Sequence, residues 1–591
     1  MVCRHKFIYK ICLIPLILFS LYICFCQLGS SSFYDLDEAY RVQLSKDLFN
    51  NTNLDNTVKS ATFGRLYNPI PALLVNLSFN LFGESELSAR LFPALAGFLT
   101  IVLTFIFAKS LYKSNMVGLF SALVLATNYQ FIFNRGVRSA DGYAIPIFFM
   151  LAFIFLAWKG LKNIKFFYLS AIPFGLLGLS EAFGLLCLLG IAIILLFQLL
   201  SKKFLRLKQW SLWLLLLLIT VTPWLIYLFI TKQYLNYLSF FISFIVSNII
   251  RLKIFNLGFL QQLILSGKID LAAPNARDPF ILWNVLKLGF FPWSIMLVPA
   301  FIFLFIRLLK EKYSLAADKL VFSWIITTTI IIMAVTLFTR SWWANILCPA
   351  LAILVGKFIY DFVWNFRNND GLLFTLSAWF ISMLTLTNLL QVYQTGYSSV
   401  SWMEERGLAA GSFSYNVNNP LLWILCLTVV VLLIQVSIKI LSRTYTNKYI
   451  IARVSVMLFF LVSSANIIYL INNSQNKSEM DIIRSLLNNK KAIYTGKKLV
   501  LCNITLLGGK SRLTSERKER WSDYYYLNKI DIPKAIVNRD LSLMDISLSR
   551  NIKDNIYLME REDYNNLLKL GQEKEMKINI IWLGSEYVLF T

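Results

Sequence analysis

Four groups of residues in this chain are of types and spacings that could do chemistry on a charged substrate. Asp35, Asp37 and Glu38 stand together in YDLDEAYR, directly after a first apolar run. A carboxylate in that position can deprotonate or orient a hydroxyl group, although three such residues also read as solvated loop. Arg138 and Asp141 lie in NRGVRSADGY, between stretches nearly free of charge. Ionisable groups beside such stretches are costly at membrane depth and imply a partner or a pathway. Their i,i+3 spacing also fits a local helix ion pair, and the sequence leaves both readings open. Lys232, Asn248, Arg251, Lys253, Lys268, Arg277 and Asp278 form a third, cationic group. Arginine binds phosphate in bidentate fashion, so this group suits a phosphate headgroup; a solvated loop over anionic lipid is the alternative. Arg340 precedes Trp342 and Trp343, which read either as interfacial anchors or as indoles walling a sugar or lipid site.

The elements that must position these residues are membrane helices. Of 591 residues, 57% are hydrophobic, and mean hydropathy is +0.62; soluble domains average about 45–50% apolar residues. The apolar residues fall in runs of about 20, the length that spans a ~30 Å hydrocarbon layer. The net charge of +25 does not indicate nucleic acid, because the basic residues sit mostly in short turns between apolar runs and form no stripe interleaved with stacking aromatics. The eight cysteines include no CxxC pair, and all but Cys3 and Cys502 lie in apolar runs, so neither a disulfide framework nor a zinc knuckle is indicated. His5, ahead of the first run, is the only histidine. That excludes a Ser-His-Asp triad and a histidine-rich metal site.

The basic start MVCRHKFIYK and the apolar run to about Phe25 read as a retained first span with Arg4, Lys6 and Lys10 inside. Basic turns at Lys109/Lys113, Lys159–Lys165, Lys202–Lys208, Arg307–Lys319, Lys357/Arg367 and Lys439–Arg453 read as cytoplasmic. One crossing per alternation gives thirteen spans, with the C-terminus outside. Residues 1–472 are thus expected to form the membrane domain. Residues 473–591 are charged and mixed, with strand-like pieces (KLVLCNITLL, NIYLME, INIIWLGSEYVLF) and helix-like ones (EMDIIRSLLNN, REDYNNLLKL). They predict a small α/β or α+β domain on the periplasmic side. The expected fold is an all-α polytopic membrane protein with that domain appended. Carboxylates, arginines and aromatics then share one outer face of a helical bundle. Transfer of a sugar from a polyprenyl phosphate needs such a set: a carboxylate for the acceptor, cations to offset charge on the departing phosphate, and apolar helices for the prenyl chain.

At this point the sequence resembles the GT-C membrane glycosyltransferases, in particular the aminoarabinose-type lipid A transferases and, more distantly, the protein O-mannosyltransferases. DLDEAYR (Asp35–Arg41) is similar to the family's acidic motif in the first outer loop, with Asp37 at its key aspartate. Asn68–Leu103 resembles its proline-containing helix, FG turn and E-x-x-x-R-L-x-x-A-L-A-G span. RGVRSADGY resembles its second arginine–acid pair, NIIR (Asn248–Arg251) its N-x-x-R, DPFILWNVLKLGFFPW (Asp278–Trp293) its P-F-W…P-W run, and SWWANILCPALAIL (Ser341–Leu354) a later aromatic span. Six such runs occur in the family's order. There are departures. Tyr67-Asn68 stands where the lipid A transferases have Glu-Lys, the histidine that would join that glutamate on a metal is missing, and Glu181 replaces a lysine.

The resemblance implies an enzyme of the bacterial inner membrane that transfers a sugar, with inversion, from undecaprenyl phosphate to lipid A on the periplasmic face. The departures leave the sugar open; an amino sugar is preferred. Protein O-glycosylation from a polyprenyl-phosphate sugar is the alternative within the class, and a transporter or flippase of lipid-linked sugar the alternative outside it. Asp37 and Asp141 are expected to be catalytic, with Glu38, Arg41, Arg138, Asn248, Arg251, Arg340 and Trp342 binding substrate. The expected partners are the lipid-linked donor, an outer-face acceptor and membrane lipid, with no nucleic acid. No cofactor is expected, and a divalent cation is not required.

Overall fold

The computed structural model describes residues 2–30, 69–133, 136–140, 142–180, 185–202, 205–230, 293–309, 316–335 and 341–361, five strands between 498 and 590, and a few positions between these segments. The chain divides into two compact units, residues 1–28 with 62–473, and residues 29–61 with 474–591.

The first unit is a helical bundle. Its helices are α1 (Val2–Phe25), α2 (Pro69–Phe82), α3 (Glu86–Tyr112), α4 (Asn115–Ala126), α5 (Tyr129–Ile132), α6 (Ala144–Gly160), α7 (Ile164–Leu169), α8 (Ala171–Ser180), α9 (Leu185–Ser201), α10 (Leu207–Ile230), α11 (Ser294–Leu309), α12 (Ala316–Val335) and α13 (Cys348–Tyr360). Helices do not map one to one onto crossings: α5 is a single turn, and α7 with α8 forms one apolar segment, Ile164–Ser180. Among the described residues, α3 and α10 are each long and apolar enough to cross a membrane alone, and eight shorter apolar helices accompany them. The expected thirteen crossings extend over residues outside those described.

Lipid tails are as apolar as leucine, so helices in a bilayer associate by close fit rather than by fleeing water. The most extensive contact in the bundle, α4 against α13, shows this: a Cβ on Gly356 would lie 2.5 Å from the Ser121 amide nitrogen. Phe107 fills the centre, 5.2 Å from the Phe155 ring and 5.8 Å from Trp158. Some polar groups in this interior bond across helices, as where Trp213 Nε1 donates to Ser170 Oγ at 3.0 Å. In contrast, α10 exposes a broad face of Leu214, Leu215, Leu218, Ile219, Ile226 and Phe229, as a lipid-facing helix does.

One pole of the bundle gathers charge. Arg307 near the end of α11 bridges Asp318 of α12 at 3.1 Å and Asp361 after α13 at 2.9 Å. Lys357 also pairs with Asp361, and the Tyr112 hydroxyl at the end of α3 donates to Asp318 at 3.0 Å. Lys319 donates to the Leu200 carbonyl at 3.0 Å, and Lys159 lies 4.5 Å from the Phe155 ring. These basic residues belong to the turns read from sequence as cytoplasmic. Two of them, Arg307 and Lys319, also bond helices to one another, and Lys357 lies 5.3 Å from the Tyr112 ring.

The second unit contains a five-stranded mixed sheet of order β2-β1-β3-β5-β4. β1 (Lys498–Cys502) runs parallel to β2 (Lys534–Val537) and β3 (Asn555–Glu560), with Val500 opposite Ala535 and Tyr557. β5 (Tyr587–Phe590) is antiparallel to β3 and to β4 (Ile580–Leu583). β1, β3, β4 and β5 fall in the pieces read as strand-like. β2, in KAIV, did not stand out, because periodicity cannot separate so short an apolar run from a helix segment.

Candidate active-site end of the membrane bundle

The pole opposite the charged one is where α1 ends, and its end is held by arginines from elsewhere in the chain. The helix gives way to a turn in which the Cys26 amide donates to the Tyr22 carbonyl at 2.8 Å and Gln27 takes a left-handed φ of 51°. The carbonyls of a last helical turn lack partners inside the helix and carry the negative end of its dipole. Arg138 donates to the Ile23 carbonyl at 2.9 Å and to the Gln27 carbonyl at 3.2 Å. Arg90, only 2% exposed, donates to the Leu28 carbonyl at 3.1 Å. Burial, then the neighbouring charge of Arg90, lowers the Arg138 guanidinium to about 10, so it stays protonated at neutral pH.

Arg138 reaches α1 because the chain reverses tightly after α5. The amides of Val137 and Arg138 donate to the carbonyls of Phe131 and Ile132, both at 3.1 Å. Val137 packs onto Gly97 of α3, where an added Cβ would lie 2.4 Å from a Val137 methyl. Gly142 has φ +74°, with its missing Cβ 3.1 Å from Pro71 at the start of α2. Arg138, Gly142 and Val137 thereby meet α1, α2 and α3 in turn. Arg138 sits in this turn, not in a helix.

The run FGESELSAR is legible in the same terms. Gly83, with φ 78°, ends α2. Ser85 caps α3: its Oγ accepts from the Ser88 amide at 3.1 Å while its own amide donates to Ser88 Oγ at 2.9 Å. That cap fixes the first turns of α3, from which Arg90 reaches α1. Sequence reasoning quoted this run but assigned Arg90 no role; the available signal was an arginine within an apolar span.

Two other motif runs are tied to the corner between α4 and α5. Trp293 Nε1 donates to Thr127 Oγ1 at 2.9 Å. Asn128 Oδ1 caps α5 by accepting from the Phe131 amide at 2.8 Å and lies 3.7 Å from Cys348 Sγ. Trp342 lies in the 3-10 turn Ser341–Ile346, which leads into α13.

The remaining expected site residues are placed as follows. Glu38 and Arg41 belong to the second unit, where Glu38 is buried, Arg41 is half-buried and Ser45 Oγ donates to the Arg41 carbonyl at 2.7 Å. Asp37, Asp141, Asn248, Arg251 and Arg340 lie outside the described residues. The structure therefore joins Arg138 to Arg90 and the end of α1, a pairing that sequence reasoning did not foresee. Among the described residues, no three His, Cys, Asp or Glu side chains stand together.

Residues 67–227, which include α2 to α9 and most of α10, match the family described as dolichyl-phosphate-mannose-protein mannosyltransferase. An uncharacterised protein of Aquifex aeolicus is 24% identical over 383 residues, 64% of this chain and 68% of its own. The fold is similar to crystal structures of ArnT from Cupriavidus metallidurans in the apo state and bound to undecaprenyl phosphate. Each has a TM-score of 0.58 at 13% identity, with 98% of this chain and 97% of ArnT covered. The family match covers the α2–α10 region, and along nearly the whole chain the protein has the fold of the GT-C type membrane glycosyltransferases.

Proposed function

We propose that the protein transfers a sugar, an amino sugar by preference, from undecaprenyl phosphate to lipid A, with inversion, at the periplasmic face of the bacterial inner membrane. The observation that supports this most is the fold likeness to ArnT, a protein crystallised with undecaprenyl phosphate, which covers the second unit as well as the bundle. In this reading the α1-end pole faces the periplasm, residues 1–472 are the membrane domain, and residues 473–591 lie outside. Asp37 and Asp141 serve the reacting groups, with Glu38 and Arg41 beside Asp37 in sequence. Asn248, Arg251 and Arg340 hold the donor phosphate, and Trp342 walls the sugar. A phosphate acceptor is already anionic and needs no base, so Asp37 then orients donor or acceptor. The donor phosphate is held by side-chain cations without tightly bound zinc: His5 is the only histidine, and Tyr67-Asn68 replaces the Glu-Lys pair of the lipid A transferases. Transfer by purified protein should survive a zinc chelator; loss restored by zinc alone would refute this.

The family match favours a second reading, protein O-glycosylation, in which a hydroxyl acceptor needs Asp37 as base. Mass spectrometry of lipid A and of periplasmic proteins, from cells with and without the gene, separates the two. Loss of a sugar from lipid A supports the first reading. Loss from glycopeptides with lipid A unchanged replaces it by the second.

A further inference from the structure

We propose that Arg90 and Arg138 act together as positioning residues: they hold the end of α1, and so fix the point from which the chain runs into the acidic segment Asp35–Arg41. The inference rests on the reading of that segment as part of the sugar-transfer site. Its geometry does not, because every contact it uses lies within the membrane unit.

The observations converge on one task. Helix ends fray when their carbonyls lack partners, and the turn that follows α1 holds Gln27 at φ 51°, a conformation strained for an L side chain that persists where surroundings over-determine it. Here three carbonyls, of Ile23, Gln27 and Leu28, are taken by two guanidinium groups that come from separate elements, α3 and the turn after α5. Like charges are brought close to do so, and the negative end of the α1 dipole is what offsets them. Arg138 in turn is set by Val137 on Gly97, and Arg90 by the Ser85 cap. The residues of two separate motif runs thus serve the exit of a third element. A displacement of about 1 Å in a reacting group can cost about 100-fold in rate, which gives such a clamp a catalytic consequence without contact to substrate.

The test compares full-length wild type with Arg90→Gln, Arg90→Lys, Arg138→Gln and Arg138→Lys, purified in detergent. Melting temperature, hydrogen exchange of the amides of residues 23–30, and steady-state transfer from synthetic undecaprenyl-phosphate pentoses and hexoses are measured. The Gln variants should stay folded, exchange faster at 23–30, and lose about 10- to 100-fold in kcat with donor KM changed less than about threefold; the Lys variants should recover part of both. Unchanged exchange in both Gln variants would overturn the clamp. Faster exchange with normal kcat would overturn the positioning role, as would a large rise in donor KM at constant kcat, which marks direct donor contact. If a Gln variant does not fold, its Lys partner decides by the same criteria. A wild type that uses no polyprenyl-phosphate donor would defeat the functional reading instead, and exchange would still decide whether the arginines hold α1.

Discussion

Replacing one oxygen of Asp37 by an amide nitrogen keeps its volume and removes its charge. If the carboxylate orients the acceptor or takes its proton, Asp37→Asn should lower sugar transfer at least ~100-fold with the amount of membrane-inserted protein unchanged. Near-normal transfer would take Asp37 out of the site. A second residue-scale expectation concerns two glycines with almost the same φ, +78° at Gly83 and +74° at Gly142. An L side chain there costs about 1 kcal/mol. Gly83 has open space where its Cβ would be, whereas Gly142 meets Pro71 at 3.1 Å. Gly142→Ala should therefore lower the melting temperature in detergent more than Gly83→Ala does. Equal losses would mean that the contact with α2 gives way at no cost.

Among the helices, the charged pole works as a junction: α3, α11, α12 and α13 meet through Tyr112, Arg307, Asp318, Lys357 and Asp361. Asp318 is fully buried, and the side chain of Arg307 is 15% exposed. Removing one partner of such a set leaves an uncompensated charge, at about 3–5 kcal/mol, whereas removing both members of a pair costs less. Arg307→Met should thus be strongly destabilising by thermal unfolding in detergent, and adding Asp318→Asn should restore part of the loss. A double variant no better than the sum of the singles would show that the two residues are not coupled. Arg307, Lys319 and Lys357 were legible as a charge bias because that bias is a count along the chain. Their ion pairs were not legible, since the partners lie on other helices.

For the whole molecule, the topology read from the basic turns remains a proposal with a direct test. A periplasm-dependent phosphatase fused after Thr591 should be active, and a cytoplasm-dependent reporter placed at Lys203 should be active too; an inactive phosphatase fusion on a stably made protein would place the count off by one crossing. Membrane character, the position of the basic turns and the order of motifs resembling those of the GT-C enzymes were all legible along the chain. Each of these is a local sum or a local pattern: hydropathy over about 20 residues, charge within a turn, a few side chains in a row. What Arg138 bonds to, that Arg90 shares its task, and that Tyr112 and Asp318 meet became visible only once the helices were packed. Those contacts join residues 115, 62 and 206 positions apart. No local pattern encodes such a pair, because its geometry is set by how antiparallel helices pack: at one pole the carbonyls at and after the end of α1 meet Arg90 and Arg138, and at the other buried carboxylates meet the basic residues that charge bias had located.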